Sequence, residues 1–141
     1  MHRALSLLVA VVATGTPGAA SGQAAADTLP ERVVDSAYAA FNRHDPAAFL
    51  SNFAESWWSS ALEDTAAAHR KVRADELKAY RELNVFRSRP TLRLVRRLVA
   101  GPYVVDLQSR GRDSVLRLDI FEVRNGKIVR EWESDRLPSR P

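Results

Sequence analysis

Residues 117–132, Arg-Leu-Asp-Ile-Phe-Glu-Val-Arg-Asn-Gly-Lys-Ile-Val-Arg-Glu-Trp, constrain this chain more than any other stretch. Two runs of β-branched, aromatic and charged residues flank Asn125-Gly126, the strongest short-range signal for a tight β-hairpin. With Asn125 and Gly126 as the loop, Val123 faces Ile128, Phe121 faces Arg130, Asp119 faces Trp132 and Arg117 faces Ser134. Side chains alternate across a strand. One face then carries Arg117, Asp119, Phe121, Val123, Ile128, Arg130 and Trp132. The other carries Leu118, Ile120, Glu122, Val129, Glu131 and Glu133. The first face mixes aromatic surface with opposite charges, which suits a pocket wall where apolar area binds and a few polar groups orient. The second suits a partly covered outer face. An Arg117–Asp119 pair on a solvated sheet is the plainer alternative, since exposed ion pairs contribute little.

Upstream, the pattern is helical. Thr28-Leu29-Pro30-Glu31 has capping-box spacing, with Thr28 as the cap and proline tolerated in the first turn. Val33, Val34, Ala37, Tyr38 and Phe41 then form one apolar stripe. Asp45-Pro46 caps a second helix directly after the first, with Phe49, Leu50 and Phe53 inward. Residues 57–62 read as a short strand. Residues 63–72 fit either a second strand or an irregular loop. Residues 74–86 are helical again, with Leu77, Tyr80 and Leu83 on the buried side, and Arg89-Pro90 ends them. Residues 91–99, 103–109, 114–124 and 127–135 read as neighbouring strands, with turns at Gly101-Pro102, Gly111 and Asn125-Gly126. Helices followed by a run of antiparallel strands give an α+β class, not alternating βαβ units.

The N-terminus is a different kind of sequence. Met1-His2-Arg3 is a basic start, residues 4–13 are nearly all apolar, and small residues lead to Ala24-Ala25-Ala26. That is the order of a secretory signal peptide, and the apolar run falls short of the roughly 20 residues that cross a bilayer. Cleavage is expected after Ala26, leaving residues 27–141 as one domain. The chain has 141 residues and no cysteine. Its stability must then come from its core, and a domain of this length buries enough apolar surface for that. A secreted or periplasmic product is expected, with no membrane attachment after cleavage.

A formal charge of +4 with arginines and acids interleaved gives no long basic block, so no nucleic-acid partner is expected. The densest basic patch, Arg87, Arg89, Arg93, Arg96 and Arg97, reads as a solvated edge with local acid partners. No histidine and acid grouping has metal-ligand spacing, so no metal or other cofactor is expected. His69 is a candidate general base near neutral pH, with simple solvation as the commoner role. His44 suits the C-terminal end of the first helix. Of the adjacent Trp57 and Trp58, only one can enter a cavity; the other would face outward, where aromatic residues favour a contact between copies.

Three segments together carry a family resemblance. Residues 33–45, with an Ala-Phe-Asn-Arg-His-Asp ending, residues 49–55, and the hairpin of residues 119–132 resemble, in order and spacing, the SnoaL-like families of the nuclear transport factor two-like fold. The resemblance implies a cone-shaped α+β barrel, a strongly curved and mostly antiparallel sheet wrapped around about three N-terminal helices. It implies an apolar cavity, but a shared fold does not fix the reaction. Asp119 matches the oxyanion aspartic acid of ketosteroid isomerase. That enzyme's tyrosine falls on Ala37, one residue before Tyr38, and its base falls near Ala61, where no carboxylate stands. Arg117-Leu118-Asp119 resembles the arginine–aspartate pair of limonene epoxide hydrolase, whose second aspartate falls on Ser134. On this reading Asp119 is the general acid or base and Arg117 holds it or binds an oxyanion. Tyr38, Trp57, Phe121 and Trp132 would bind a small apolar molecule, and isomerase, lyase or hydrolase chemistry is open to the site. A second copy of the chain is a candidate partner. The alternative is a non-catalytic binding or dimerisation module with a structural Arg117–Asp119 pair.

Overall fold

The computed structural model describes residues 29–84, 86–87, 91–111 and 115–134. Residues 1–26, Thr28 and the Arg89-Pro90 break lie outside the described residues.

Helix α1 (Pro30–Asn42) forms where the apolar stripe requires it: Val33, Val34, Ala37, Ala40 and Phe41 are buried along one side. Its N-cap is Leu29, with no side-chain cap; Pro30 supplies the first turn and Glu31 favours the helix dipole. Helix α2 (Pro46–Leu50) starts as expected from Asp45, whose Oδ1 accepts from the Ala48 N–H at 2.9 Å. Strand β1 (Phe53–Ala61) begins four residues before the expected start and already includes Phe53. The ambiguous segment resolves into a 3₁₀ turn (Thr65–Ala67), capped by Asp64, and strand β2 (His69–Val72). Helix α3 (Arg73–Glu82) packs Leu77 and Tyr80 against the core. Leu83 lies just past the helix and is 74% exposed, so it is not the buried residue its spacing suggested.

Strands β3 (Leu92–Ala100), β4 (Tyr103–Arg110), β5 (Leu116–Arg124) and β6 (Lys127–Glu133) follow. The six-stranded sheet has the order β2-β1-β6-β5-β4-β3; β1 and β6 run parallel and every other neighbouring pair is antiparallel. This is a mixed α+β sheet with three helices across one face. The core between them gathers Val33, Val34, Leu50, Phe53, Trp57, Val104, Phe121, Val123 and Ile128. Each such fully buried side chain contributes roughly 1.5–3 kcal/mol. Arg97 fastens α1 to the sheet. It donates from Nε and Nη2 to the two carboxylate oxygens of the fully buried Asp106, both at 2.7 Å, and from Nη1 to Asp35 at 2.7 Å. One arginine of the expected basic patch is therefore structural rather than solvated.

The closing hairpin turns where expected, at Asn125 (φ 50°) and Gly126 (φ 69°). Val123 faces Ile128 as read from the sequence, but a β-bulge follows at once. Beyond it Glu122 faces Arg130, Phe121 faces Glu131, Ile120 faces Trp132 and Asp119 faces Glu133. One extra residue on β6 exchanges the faces of everything past it. The expected Asp119–Trp132 pairing is thus corrected. Glu131 and Glu133 come inward beside Asp119, and Trp132 goes out to lie over Ile120 and under the Arg130 guanidinium at 5.4 Å.

Candidate functional site

A partly enclosed cavity of about 90 Å³ lies between the helices and the inner face of the sheet. Helices α1, α2 and α3 contribute Tyr38 with Phe41, Phe49, and Tyr80 respectively. The strands contribute Phe53 and Trp57 (β1), Lys71 (β2), Leu92 (β3), Arg110 (β4), Asp119 and Phe121 (β5), and Glu131 and Glu133 (β6). Seven of the thirteen lining residues are aromatic: Phe53 and Trp57 lie 4.7 Å apart with their rings tilted at 44°, and Tyr38 meets Phe121 edge-on at 6.0 Å. Aromatic pairs of this kind hold their geometry beyond simple burial.

The polar end is a cluster of three carboxyl groups and two cations. Asp119 is 1% exposed. Arg110 Nη2 stands 3.5 Å from its Oδ2 and 3.7 Å from Glu133 Oε1, so one guanidinium serves two acids. Asp119 Oδ1 has no hydrogen-bond partner among the described residues. Burial pushes its pKa up to about 8, helped by the charge of Glu133 and opposed by Arg110. At neutral pH Asp119 therefore keeps its proton. Glu131 accepts from the Trp57 indole Nε1–H at 2.9 Å and lies 3.5 Å from Lys71 Nζ. Burial raises its pKa too, and the Glu133 charge adds to the shift. The Tyr38 hydroxyl is buried near Asp119 and Asp106 without a well-formed hydrogen bond, and burial raises its pKa well above the ordinary value.

Of the residues singled out from sequence, Asp119, Tyr38, Trp57 and Phe121 meet in this one cavity. Arg117 and Trp132 do not line it. Arg117 is placed opposite Gln108 in the β4–β5 register and forms no ion pair with Asp119 among the described residues; its charge is the weakest of five influences on that carboxyl. The expected structural Arg117–Asp119 pair is thus replaced by Arg110–Asp119, because Arg110 lies at the end of β4 where its side chain reaches across to β5. Trp132 is lost to the site through the bulge. Trp57 and Trp58 divide as expected: Trp57 is 2% exposed inside and Trp58 is 45% exposed outside. His69 is exposed on β2, opposite Ser59, and takes no part in the cavity lining.

Sequence reasoning missed Arg110, Lys71, Glu131 and Glu133. One signal was present: the consecutive apolar residues Ile128-Val129 break strict alternation, as a bulge does. A buried indole N–H also has to find an acceptor, and only a residue brought inward on β6 supplies it. Among the described residues no group of histidines and acids could hold a metal ion.

No family model matches the chain, and no curated protein matches it in sequence. Solved structures do match in three dimensions. A putative ketosteroid isomerase from Kribbella flavida superposes with a TM-score of 0.59 at 18% identity, over 79% of this chain and 80% of that one. A SnoaL-like protein of unknown function from Burkholderia thailandensis gives 0.56 at 17%, over 77% and 94%. A protein of ketosteroid isomerase-like fold from Catenulispora acidiphila, solved in complex with trimethylamine, gives 0.56 at 13%, over 74% and 85%. With its curved six-stranded sheet, three helices and hollow interior, this chain has the nuclear transport factor two-like fold that SnoaL-like and ketosteroid isomerase-like proteins share.

Proposed function

We propose that this protein binds a small, partly apolar molecule in the aromatic cavity and exchanges a proton with it through Asp119. The observation that carries the reading is the unpartnered Oδ1 of a fully buried carboxyl in this cavity wall, whose burial pushes its pKa up to about 8. A neutral carboxyl in an apolar site donates a hydrogen bond or a proton to an acceptor on the ligand. Glu133, paired with Asp119 across the strands and with a side chain 48% exposed, is positioned to return that proton to solvent. Glu131, held by Trp57 and Lys71, fixes the wall on which the ligand rests. Isomerisation or elimination fits this arrangement better than hydrolysis by two aspartates, since Ser134 stands where the second would be. The small ligand of the Catenulispora acidiphila protein supports a cavity of this fold as a binding site.

The test is mass-spectrometric identification of ligands retained by the purified protein, with a ¹³C-carboxyl NMR titration of Asp119. A carboxyl titrating near 8 that shifts when the ligand is removed supports the reading. Titration in the ordinary aspartate range overturns it.

Export and self-association belong to the same proposal. The N-terminal segment reads as a signal for secretion or transport to the periplasm, and N-terminal sequencing of the mature protein checks it. On the outer face, Trp132, Ile120, Val105 and Leu98 follow one another across β6, β5, β4 and β3, with Trp58 and Tyr103 exposed at their flank. This apolar row supports a second copy as the partner there. Light scattering at increasing concentration tests it; a monomer throughout would sink the homodimer.

A further inference from the structure

This chain writes its cations almost entirely as arginine: eighteen arginines stand against three lysines, Lys71, Lys78 and Lys127. Lys78 pairs with Glu82 on the exposed side of α3, and Lys127 donates to the Ser51 carbonyl at the surface. Lys71 is the lysine that lines the cavity. Alone among the four residues of β2 it is partly buried, and it reaches inward beside Trp57, its partner in the β1–β2 register, with Nζ 6.0 Å from the ring centroid. Its ammonium makes no hydrogen bond among the described residues. Glu131 Oε1, 3.5 Å away, already accepts from the Trp57 N–H at 2.9 Å, and Glu76 is 4.0 Å off. Its side chain is 22% exposed, against 2% for that of Asp119, so a molecule in the cavity can reach it. The residue type matters here. A guanidinium stays protonated and serves only as a donor, whereas a lysine amine attacks a carbonyl carbon. A cavity of about 90 Å³ is smaller than the engineered one of about 150 Å³ that accepts benzene, so it suits a ligand of about four or five non-hydrogen atoms.

Resting on the reading of this cavity as a binding site for a small, partly apolar molecule, though not on the proton of Asp119, we infer that Lys71 is a nucleophile and that the natural ligand is a compact aldehyde or ketone held through Lys71 Nζ as an iminium ion. The step balances within the site. Lys71 passes one proton to Glu131, and the freed lone pair on Nζ adds to the carbonyl carbon. A second proton moves from nitrogen to the carbonyl oxygen, giving a carbinolamine. Glu131 then returns its proton to that hydroxyl, the C–O bond breaks, and water leaves as the C=N bond forms. The sum is one ammonium and one carbonyl giving one iminium and one water, with no oxidant or reductant consumed. A positive iminium replaces a positive ammonium opposite Glu131, so the charge of the site does not change. Two features of the wall favour the sequence. Burial raises the Glu131 pKa, which makes it a better proton acceptor than an ordinary carboxylate. Aromatic surface at Phe53 and Trp57 favours the loss of water from the carbinolamine.

Reductive trapping tests it on the full chain. The protein is incubated at neutral pH with propanal and sodium cyanoborohydride, which reduces an iminium and fixes the adduct, and peptide mapping by mass spectrometry follows each lysine with time. Lys78 and Lys127 are the internal references. The expected result is modification of Lys71 at least about tenfold faster than either, as a held carbonyl gains from proximity. With 2-naphthaldehyde, too large for the cavity, the advantage of Lys71 should disappear. Lys71→Arg, which keeps a cation opposite Glu131, should lose the fast adduct while Lys78 and Lys127 react as before. The comparison of rates on the unsubstituted protein stands even if that variant fails to fold. Equal rates at the three lysines overturn the inference, and so does a Lys71 that reacts equally fast with both aldehydes. If Lys71 shows no advantage while Asp119 titrates at about 8 and a compact ligand raises Tm, the iminium fails and the proton-exchange reading survives. Fast trapping at Lys71 with Asp119 titrating in the ordinary aspartate range supports the iminium and overturns the proton exchange.

Discussion

Asp119 is where pH acts on single residues. Its pKa rises from 3.8 in the open chain to about 8 in the fold, so between those values the folded state holds a proton that the unfolded chain has lost. Stability from this group is complete below 3.8 and falls as pH rises, by roughly 1.4 kcal/mol per pH unit at most, until about 8. Glu131, raised by burial as well, acts with the same sign. Asp119→Asn, uncharged at every pH, should flatten the profile; urea unfolding from acid to alkaline pH should show the variant more stable at high pH and the two proteins converging in acid. Trp57→Phe makes the complementary test. It keeps an aromatic ring but gives up part of the indole's volume and the N–H that Glu131 accepts at 2.9 Å. Lys71 still faces that oxygen, so the lost hydrogen bond and the lost packing together should cost about 1–3 kcal/mol, measured by chemical denaturation. Asp119, Tyr38, Trp57 and Phe121 could be picked out from sequence because aromatic and acidic residues alternating in strand and helix patterns mark an inner face. Arg110 and Lys71 could not, since a long cation at a strand end or on a short, mostly exposed strand looks the same whether it serves a cavity or water.

Among elements, the local signals worked where the chemistry is local. The Asp45 cap is one: Asp45→Ala should cost about 1 kcal/mol and fray α2, visible as faster amide exchange at Ala48 and Phe49. The α1–sheet fastening is another matter. Arg97 pairs with an acid 9 residues on and another 62 residues back, a combination that only the folded chain creates. Arg97→Met leaves the buried Asp106 without its partner, at an expected cost of about 3–5 kcal/mol. Adding Asp106→Leu should recover most of that loss, because a packed apolar pair avoids the desolvation of both charges. Thermal melts of the single and double variants decide it. The β6 bulge lies between these cases. Its residues alternate well enough for either register, and the inward face was settled by what waits there: an indole N–H and an ammonium for Glu131, and on the outside Ile120 and Arg130 for Trp132.

For the molecule as a whole, the cavity sets the scale of what can bind. At about a hundred times its Kd, a ligand adds roughly 2.7 kcal/mol to stability, enough to raise Tm by several degrees. Compact ligands should therefore raise Tm, and steroids, terpenes and aromatic polyketides should leave it unchanged, because about 90 Å³ cannot admit them without opening the wall. A thermal-shift series graded by ligand size checks this. The class of the fold was legible because it follows from periodicity and turn chemistry: helical stripes at residues 33–41, an Asp-Pro corner, and an Asn-Gly hairpin closing a run of strands are each encoded within a few residues. The composition of the site was not, because it depends on distances between strands far apart in the chain. By itself the sequence determined three helices, an antiparallel run of strands and an acid inside them. Tertiary structure alone decided which charges surround that acid, since a single extra residue in β6 costs almost nothing locally and yet turns two glutamates inward and a tryptophan out.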